Sequence, residues 1–155
     1  MPFTLPPRDT WIDHTSDIRT DIDTLYALLS DIDRWPDWTP GLRAIVRRRK
    51  GVAASGDSFL MVLEAPVIGG LPLPCTVYRN EPNYLEWGGG ALGSVIRHSL
   101  ELTVIDANTT RLRHVEYATG LLAVITRPVA RFARGHDMRW SEAIEARFNR
   151  EGGSQ

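Results

Sequence analysis

The sequence predicts an α+β domain in which a curved antiparallel sheet wraps around one long C-terminal helix. Three observations support this fold class: an early strand followed by two short helices, a long series of strand-length segments separated by turn residues, and a final segment with helical periodicity. The chain of 155 residues has the length of one domain, and its 43% apolar and 24% charged residues are typical of globular proteins. We expect a flexible lead over residues 1–9, one domain over 10–149 and a disordered tail over 150–155.

The first predicted elements are a strand over residues 10–18 and a short helix behind it. The Thr20 hydroxyl and the Asp23 carboxylate lie three residues apart, where they can cap free backbone N–H groups. Apolar residues then recur at helical spacing and end near Ser30. Because Pro36 interrupts helical hydrogen bonding, we expect at most one further helical turn before the sheet continues.

Between residue 41 and about residue 119, turn residues separate strand-length segments in the pattern of an antiparallel meander. Alternation places several sets of side chains on common strand faces: Phe59, Met61 and Leu63; His98, Leu100, Leu102 and Val104; and Leu112, His114, Glu116 and Ala118. After Gly120 a helical pattern runs to about Asn149, with His136 and Trp140 on its apolar stripe. Pro128 predicts either the first turns of this helix or a kink.

Charge, cysteine content and apolar run lengths exclude several classes of protein. The 18 basic and 19 acidic residues give a net charge of -1, which argues against a nucleic-acid partner. A single cysteine, Cys75, can form neither an internal disulfide nor a thiolate metal cluster, and we expect it to be an inert buried thiol. The longest apolar run, residues 121–125, is too short to cross a membrane. We therefore expect a cytoplasmic protein without membrane insertion, as a monomer or homodimer.

The order of these elements and several short motifs resemble the START-like, or SRPBCC, superfamily with its helix-grip fold. The motifs are Leu28–Asp31 running into Arg34–Trp38, Gly56-Asp57 before a strand, and Thr110–Leu112 leading to His114, Glu116 and Gly120–Leu122. The superfamily includes polyketide cyclases and aromatases, lipid-transfer proteins and plant allergens. The resemblance covers residues 10–149 and implies an apolar cavity between the sheet and the long helix. Many members carry out no chemistry, so the fold alone does not assign an activity.

Two motifs match functional patterns that their context does not support. Gly88–Gly93 has the spacing of a dinucleotide-binding glycine motif, but a strand follows it instead of the helix N-terminus that a pyrophosphate needs. We interpret these glycines as a flexible hairpin at the rim of the cavity, with positive φ angles and close backbone approach. Arg47–Lys50 could bind phosphates, but a solvated strand end leading into Gly51 is the simpler interpretation.

His98, His114 and Glu116 form the sharpest candidate site. If the turn between the last two strands centres on Ala107, His98 lies opposite Glu116 and diagonal to His114, on a face that otherwise carries leucines. Polar groups on an apolar wall can act as general acid and base or orient a ligand. They can also form a purely structural pair, or lie in water if the register is inverted. A metal site could form in space, but mutual hydrogen bonding is the commoner outcome, so we predict no metal.

The aromatic residues predict the type of ligand. Flat rings contributed by separate elements suit an apolar or aromatic molecule. Trp35 and Trp38 are also expected to anchor the short helices over the sheet. The predicted ligand-binding residues are Trp35, Trp38, Phe59, Met61, Leu63, Trp87, Leu100, Leu112, His136 and Trp140.

The sequence thus predicts a protein that holds a small hydrophobic molecule of aromatic, polyketide-like or lipid type. As an enzyme it would catalyse cyclisation or dehydration without a cofactor, with His114 or Glu116 as base and the other imidazole as acid. The alternative is a non-catalytic carrier or sensor that uses the same cavity. A third possibility is an interaction domain whose core is filled.

Overall fold

The computed structural model describes residues 8–65, 67–91, 94–120 and 127–149, and the side chains of these ranges except residues 8–9, 91 and 127–133. The predicted lead up to residue 7, residues 121–126 and the predicted tail from residue 150 lie outside the described residues. The elements are β1 Arg8–Ile18, α1 Ile22–Ser30, a short 3-10 helix Ile32–Asp37, β2 Leu42–Val46, β3 Ser58–Leu63, β4 Leu71–Glu81, β5 Tyr84–Ala91, β6 Ser94–Asp106, β7 Thr109–Thr119 and α2 Arg127–Asn149. Arg8 and Asp9, predicted as part of the lead, belong to β1.

The strands form one seven-stranded sheet in the order β1-β7-β6-β5-β4-β3-β2. Every neighbouring pair is antiparallel. The two short helices carry the chain from β1 at one edge to β2 at the other, and the meander then returns strand by strand to β7 beside β1. The C-terminal helix α2 packs against this curved sheet, with β1 among its contacts. The predicted α+β class, with a curved antiparallel sheet and one long C-terminal helix, is confirmed.

The cap of α1 differs from the prediction. Asp21, not Thr20, is the N-cap: its carboxylate accepts hydrogen bonds from the Thr24 backbone N–H at 2.9 Å and from the Thr24 hydroxyl at 2.8 Å. Asp21 has extended backbone and directly precedes the first helical residue, which is where a side chain reaches the third N–H of a helix. Thr20 lies between β1 and α1, and its carbonyl accepts a hydrogen bond from the Thr110 hydroxyl of β7 at 2.9 Å.

The 3-10 helix carries the tryptophan corner. Trp35 is 1% exposed, and its Nε1 donates to the Leu29 carbonyl at 2.9 Å, which ties this turn to the end of α1. Its ring packs edge-on against Phe59 of β3 with centroids 6.3 Å apart. Trp35 therefore anchors the short helices on the sheet, as predicted, whereas Trp38 is only partly buried.

Arg47 is not the solvated strand end that the sequence predicts. Its side chain is 1% exposed and forms two hydrogen bonds to the Asp33 carboxylate, at 3.1 and 2.8 Å. It also donates to the Gly51 carbonyl, and Asp57 lies 3.6 Å from it. Because Asp33 belongs to the 3-10 helix, this ion pair fixes the tryptophan corner to the end of β2.

Three consecutive glycines of β5, Gly88–Gly90, are required for one of the two predicted reasons, close backbone approach, and not for positive φ angles. They lie inside the strand, and none of them has a positive φ. A Cβ at Gly89 would overlap the Pro74 carbonyl oxygen of β4, and one at Gly88 would overlap the Ile96 carbonyl oxygen of β6. The glycines therefore allow three neighbouring backbones to approach closely. Leu92 and Gly93, the rest of the predicted motif, lie outside the described residues.

The buried face of α2 repeats at a spacing of three and four residues. Among the side chains described for this helix, those of residues 134–149, the buried ones are Asp137, Trp140, Ser141 and Ile144, each at most 6% exposed. Pro128 is the second residue of the helix, in agreement with the first of its two predicted positions. No described helix is long and apolar enough to cross a membrane.

Candidate functional site

A cavity of about 350 Å³ lies between the inner face of the sheet and α2. Its apolar wall consists of Trp11, Trp35, Leu42, Met61, Leu63, Leu71, Leu73, Trp87, Ile96 and Trp140, with Pro74, Cys75 and Gly88–Gly90 completing the sheet side. Leu71 is 41% exposed and lines the cavity, so the cavity reaches the surface near the start of β4. Burial raises the pKa of the Cys75 thiol to about 12, so this thiol is inert at neutral pH, as predicted.

Three indole rings meet at the centre of the wall. The Trp35 and Trp87 centroids are 4.9 Å apart, and Trp140 lies 5.7 Å from each of them. Trp140 is held in place from two sides, because its Nε1 donates to the Thr39 hydroxyl at 2.8 Å and Trp38 stacks on it at 5.5 Å. The three rings thus form a rigid apolar surface contributed by the 3-10 helix, β5 and α2.

At one end the cavity becomes polar, where His98, His114, Glu116 and Asp137 meet; we call these four residues the polar cluster. His98 on β6 pairs with Glu116 on β7, which confirms the predicted register. A shift in pairing between Val104 and Asp106 preserves this register although the turn holds two residues. His114 and Glu116 share the inner face because they are two residues apart on β7. Asp137 reaches the same point from α2.

Two contacts orient the imidazole rings. The His114 Nδ1 lies 3.2 Å from the Ser141 hydroxyl of α2, so the other ring nitrogen of His114, Nε2, is directed away from Ser141. Trp87 stacks on the His98 ring, with centroids 4.9 Å apart and planes within 7°. The His98 Nε2 lies 3.5 Å from Glu116 Oε1. No two of the nearest ligand atoms of His98, His114 and Asp137 are more than 4.8 Å apart.

The polar cluster does not satisfy its own hydrogen bonds. Four buried atoms have no partner among the described residues: His98 Nδ1, His114 Nε2, Glu116 Oε2 and Asp137 Oδ2. None of the described residues lining the cavity is Lys or Arg, so the two carboxyl groups have no permanently charged basic partner there. Buried polar atoms without partners cost about 1–3 kcal/mol each. The expected mutual hydrogen bonding is therefore only partly present. The four unpartnered atoms remain able to bind a polar group of a ligand in the cavity.

Burial sets the protonation of the cluster. It lowers the pKa of His114 to about 4 and also lowers the pKa of His98, so both imidazoles are neutral at pH 7. Burial, with the hydrogen bond to Asp137, raises the pKa of Glu116. Burial alone would raise the pKa of Asp137 too, but the bond from Glu116 and the neighbouring histidines outweigh it, and the net shift is downward. The opposite directions of these two pKa shifts favour a protonated Glu116 beside an ionised Asp137.

The structure places the predicted site residues in three groups. Those that line the cavity are His98, His114, Glu116, Trp35, Met61, Leu63, Trp87, His136 and Trp140. Leu100 and Leu112 lie in the core, where they are at most 1% exposed, and are not part of the wall. Phe59 packs beneath Trp35, and Trp38 lies behind Trp140. The last four residues support the wall without facing the cavity.

Several residues of the site were not predicted, among them Asp137, Ser141 and Trp11; the aliphatic lining residues Leu42, Leu71, Leu73 and Ile96 were not predicted either. Asp137 and Ser141 lie three residues before and one residue after Trp140, on the buried face of α2. The spacing of Asp137 and Ser141 to Trp140 and Ile144 could have indicated that both are buried. A polar residue at a core position of a helix is uncommon and therefore suggests a functional role. Trp11 was visible only as a strand residue.

Comparison with known proteins identifies the fold. No family model and no curated protein matches the chain. Its structure is similar to that of a START superfamily protein from Mycobacterium smegmatis, with a TM-score of 0.70 and 15% identity over 90% of this chain and 97% of that one. The chain has a START-like, helix-grip fold.

Two further solved structures share this fold. The aromatase/cyclase Zhui from Streptomyces sp. R1128 has a TM-score of 0.67 and 14% identity, over 96% of this chain and 98% of that one. The di-domain ARO/CYC StfQ from the steffimycin biosynthetic pathway has a TM-score of 0.72 and 13% identity over 97% of this chain. This chain spans 53% of StfQ. At these identities the likeness establishes the START-like fold alone.

Proposed function

We propose that this START-like protein binds a small hydrophobic molecule of aromatic, polyketide-like or lipid type in the cavity of about 350 Å³. The observation that carries this proposal is a cavity with an indole and aliphatic wall into which a few polar side chains converge. Apolar lining with a few convergent polar groups is the usual composition of small-molecule sites. Two of the similar structures are named aromatase/cyclases, which is in keeping with such a ligand.

The size of the cavity narrows the ligand class. Small-molecule sites span roughly 300–1,000 Å³, so this cavity is at the small end of the range. It suits a compact molecule of about two or three fused rings better than a lipid with long acyl chains. The polar cluster would face the oxygenated end of such a molecule, and the rings of Trp35, Trp87 and Trp140 its apolar body.

We further propose that the polar cluster acts as acid and base on the bound molecule. In a dehydration, neutral His114 would take a proton from the carbon beside a carbonyl, and Glu116, whose raised pKa keeps it protonated, would protonate the departing hydroxyl as water. In an intramolecular aldol cyclisation the same base would take the proton from the carbon beside one carbonyl, and the acid would protonate the oxygen of the second carbonyl as the new carbon–carbon bond forms. This proposal is supported by the four unpartnered polar atoms of the cluster, since a passive hydrophobic carrier does not need them. The alternative is a carrier in which the cluster only orients the ligand.

Ligand binding can be tested with N-phenyl-1-naphthylamine, an uncharged fluorophore of suitable size, excited beyond the absorption of tryptophan. We expect saturable binding with one site per chain. Met61→Trp should reduce the affinity at least about tenfold, because Met61 lines the cavity and an indole there fills part of it. Leu60→Trp is the matched control: Leu60 is the preceding residue of β3 and faces the opposite side of the sheet. Equal effects of the two substitutions, or no saturable binding, would reject the cavity as the ligand site.

Catalysis can be tested with 4-hydroxy-4-phenylbutan-2-one, whose dehydration gives a conjugated enone that is followed by its near-ultraviolet absorbance. If the cluster acts in proton transfer, Glu116→Gln should reduce the rate by about 10²- to 10⁴-fold with little change in fluorophore affinity. His14→Gln is the control, because His14 pairs with Glu145 at 3.2 Å outside the cavity wall. Fluorophore binding without acceleration by the unmodified protein would favour the carrier.

A further inference from the structure

Three residues of the polar cluster are of the types that bind metal ions. His98, His114 and Asp137 converge from β6, β7 and α2, and their nearest ligand atoms lie within 4.8 Å of one another. His114 is 1% exposed and Asp137 6% exposed, and each has an unpartnered atom: Nε2 of His114 and Oδ2 of Asp137. Two imidazole nitrogens and one carboxylate are a donor set that zinc, iron and other first-row ions accept.

We propose that His98, His114 and Asp137 bind one divalent transition-metal ion at the polar end of the cavity. This inference goes beyond the proposed function and does not depend on it. A buried cation there would compensate the carboxylate charge for which the described cavity lining supplies no Lys or Arg. It would also use lone pairs that have no other partner among the described residues.

The geometry is close to that of a bound ion. Ligands about 2.0–2.1 Å from a tetrahedral zinc ion lie roughly 3.3 Å apart, so the distances between the three ligand atoms, at most 4.8 Å here, would need to shorten by up to about 1.5 Å through side-chain rotations. The His114 Nδ1 contact to Ser141 at 3.2 Å orients the ring so that Nε2 is free, which is the usual arrangement behind a metal-binding histidine. Stacking on Trp87 restrains the His98 ring in the same way.

Three protein ligands would leave a position open toward the cavity. A ligand oxygen could occupy it, because the apolar wall and the polar cluster line the same cavity. Glu116 lies beside the proposed ligands, with its Oε1 3.5 Å from the His98 Nε2, and stays available to move a proton. The ion would supply Lewis-acid polarisation of a carbonyl group at this position.

The test uses the full chain with its affinity tag removed, dialysed against a chelator and titrated with Co²⁺ and Zn²⁺. We expect one ion per chain with a dissociation constant below about 1 µM, and visible absorption of the Co²⁺ form in the pattern of nitrogen and oxygen ligands. Asp137→Asn and His98→Ala should each weaken binding at least about 100-fold. His14→Ala, which removes a histidine outside the cavity wall, should leave it unchanged.

Several results would overturn the proposal. Binding weaker than about 100 µM, or binding that Asp137→Asn does not change while circular dichroism stays native, would show that the cluster is not a metal site. If the substitutions prevent folding, X-ray absorption of the zinc-loaded unmodified protein decides, because two imidazoles in the zinc shell support the site and a shell of oxygens alone rejects it. Fluorophore binding is measured in parallel, so loss of the metal site and loss of the hydrophobic site are distinguished.

Discussion

Replacing Trp35 by alanine should be among the most destabilising single changes in this protein. The ring is 1% exposed, and burying a tryptophan removes about 150–250 Å² from water, equivalent to about 4–6 kcal/mol. Measured truncations of large aromatic residues cost about 3–5 kcal/mol. The substitution would also remove the hydrogen bond of 2.9 Å from the Trp35 Nε1 to the Leu29 carbonyl, which would be left without this partner at the end of α1. We expect a loss of about 4–6 kcal/mol, a large part of the stability of a typical domain.

The assay is urea unfolding followed by far-ultraviolet circular dichroism, which does not depend on tryptophan emission. Trp35→Phe retains most of the apolar contact but not the hydrogen bond, so it should cost about 1–3 kcal/mol. Trp38→Ala is the matched control three residues away: Trp38 is partly buried, and its Nε1 has no partner among the described residues, so about 1–2 kcal/mol is expected. A loss below about 1 kcal/mol for Trp35→Ala would show that this ring does not hold the corner to the sheet.

Two further predictions concern the corner ion pair and the glycines. Hydrogen bonding to Arg47 lowers the pKa of Asp33 from 3.8 to about 2, so the pair should contribute about 1–2 kcal/mol above pH 4 and lose this contribution as the pH falls from about 4 to 2. Urea unfolding of Asp33→Asn at several pH values should lack this dependence, and an unchanged dependence would contradict it. Thermal unfolding should show that Gly135→Ala stabilises by about 0.5–1 kcal/mol, since nothing lies within 4 Å of the added methyl in the helix. Gly89→Ala should destabilise by more than about 3 kcal/mol because its methyl would overlap the Pro74 carbonyl, and equal effects at the two glycines would refute the packing argument.

The sheet could be predicted from the sequence because its information is local and periodic. Alternation assigned the inner faces of β6 and β7, and the turn fixed the pairing of His98 with Glu116. The α1 cap was misassigned by one residue, since Thr20 and Asp21 are both acceptable caps and only the backbone geometry selects Asp21. Arg47 was misjudged because its partner Asp33 lies 14 residues away on another element.

The candidate site could be predicted only in part, because it joins elements that are distant in sequence. His98, His114 and Glu116 belong to adjacent strands, whose register local rules can give. Asp137 comes from α2, and its position over β7 depends on helix packing that no sequence pattern fixes. The apolar stripe was also an incomplete guide for this helix, since Asp137 and Ser141 are buried beside Trp140 among its described side chains, residues 134–149. Leu100 and Leu112 show the reverse case: they share a strand face with the cluster but lie deeper in the core.

The contact between Trp35, Trp87 and Trp140 also determines how the intrinsic fluorescence of this protein responds to binding. Three indoles with centroids 4.9–5.7 Å apart, and Trp38 stacked on the third, exchange excitation energy much faster than they emit. A quencher next to any one of these rings therefore lowers the fluorescence of all of them. Neutral His98, stacked on Trp87, quenches tryptophan fluorescence only weakly. A metal ion such as Co²⁺ bound to His98 would quench it strongly. Intrinsic emission, with no label attached, should thus register events at the polar cluster and in the apolar cavity alike.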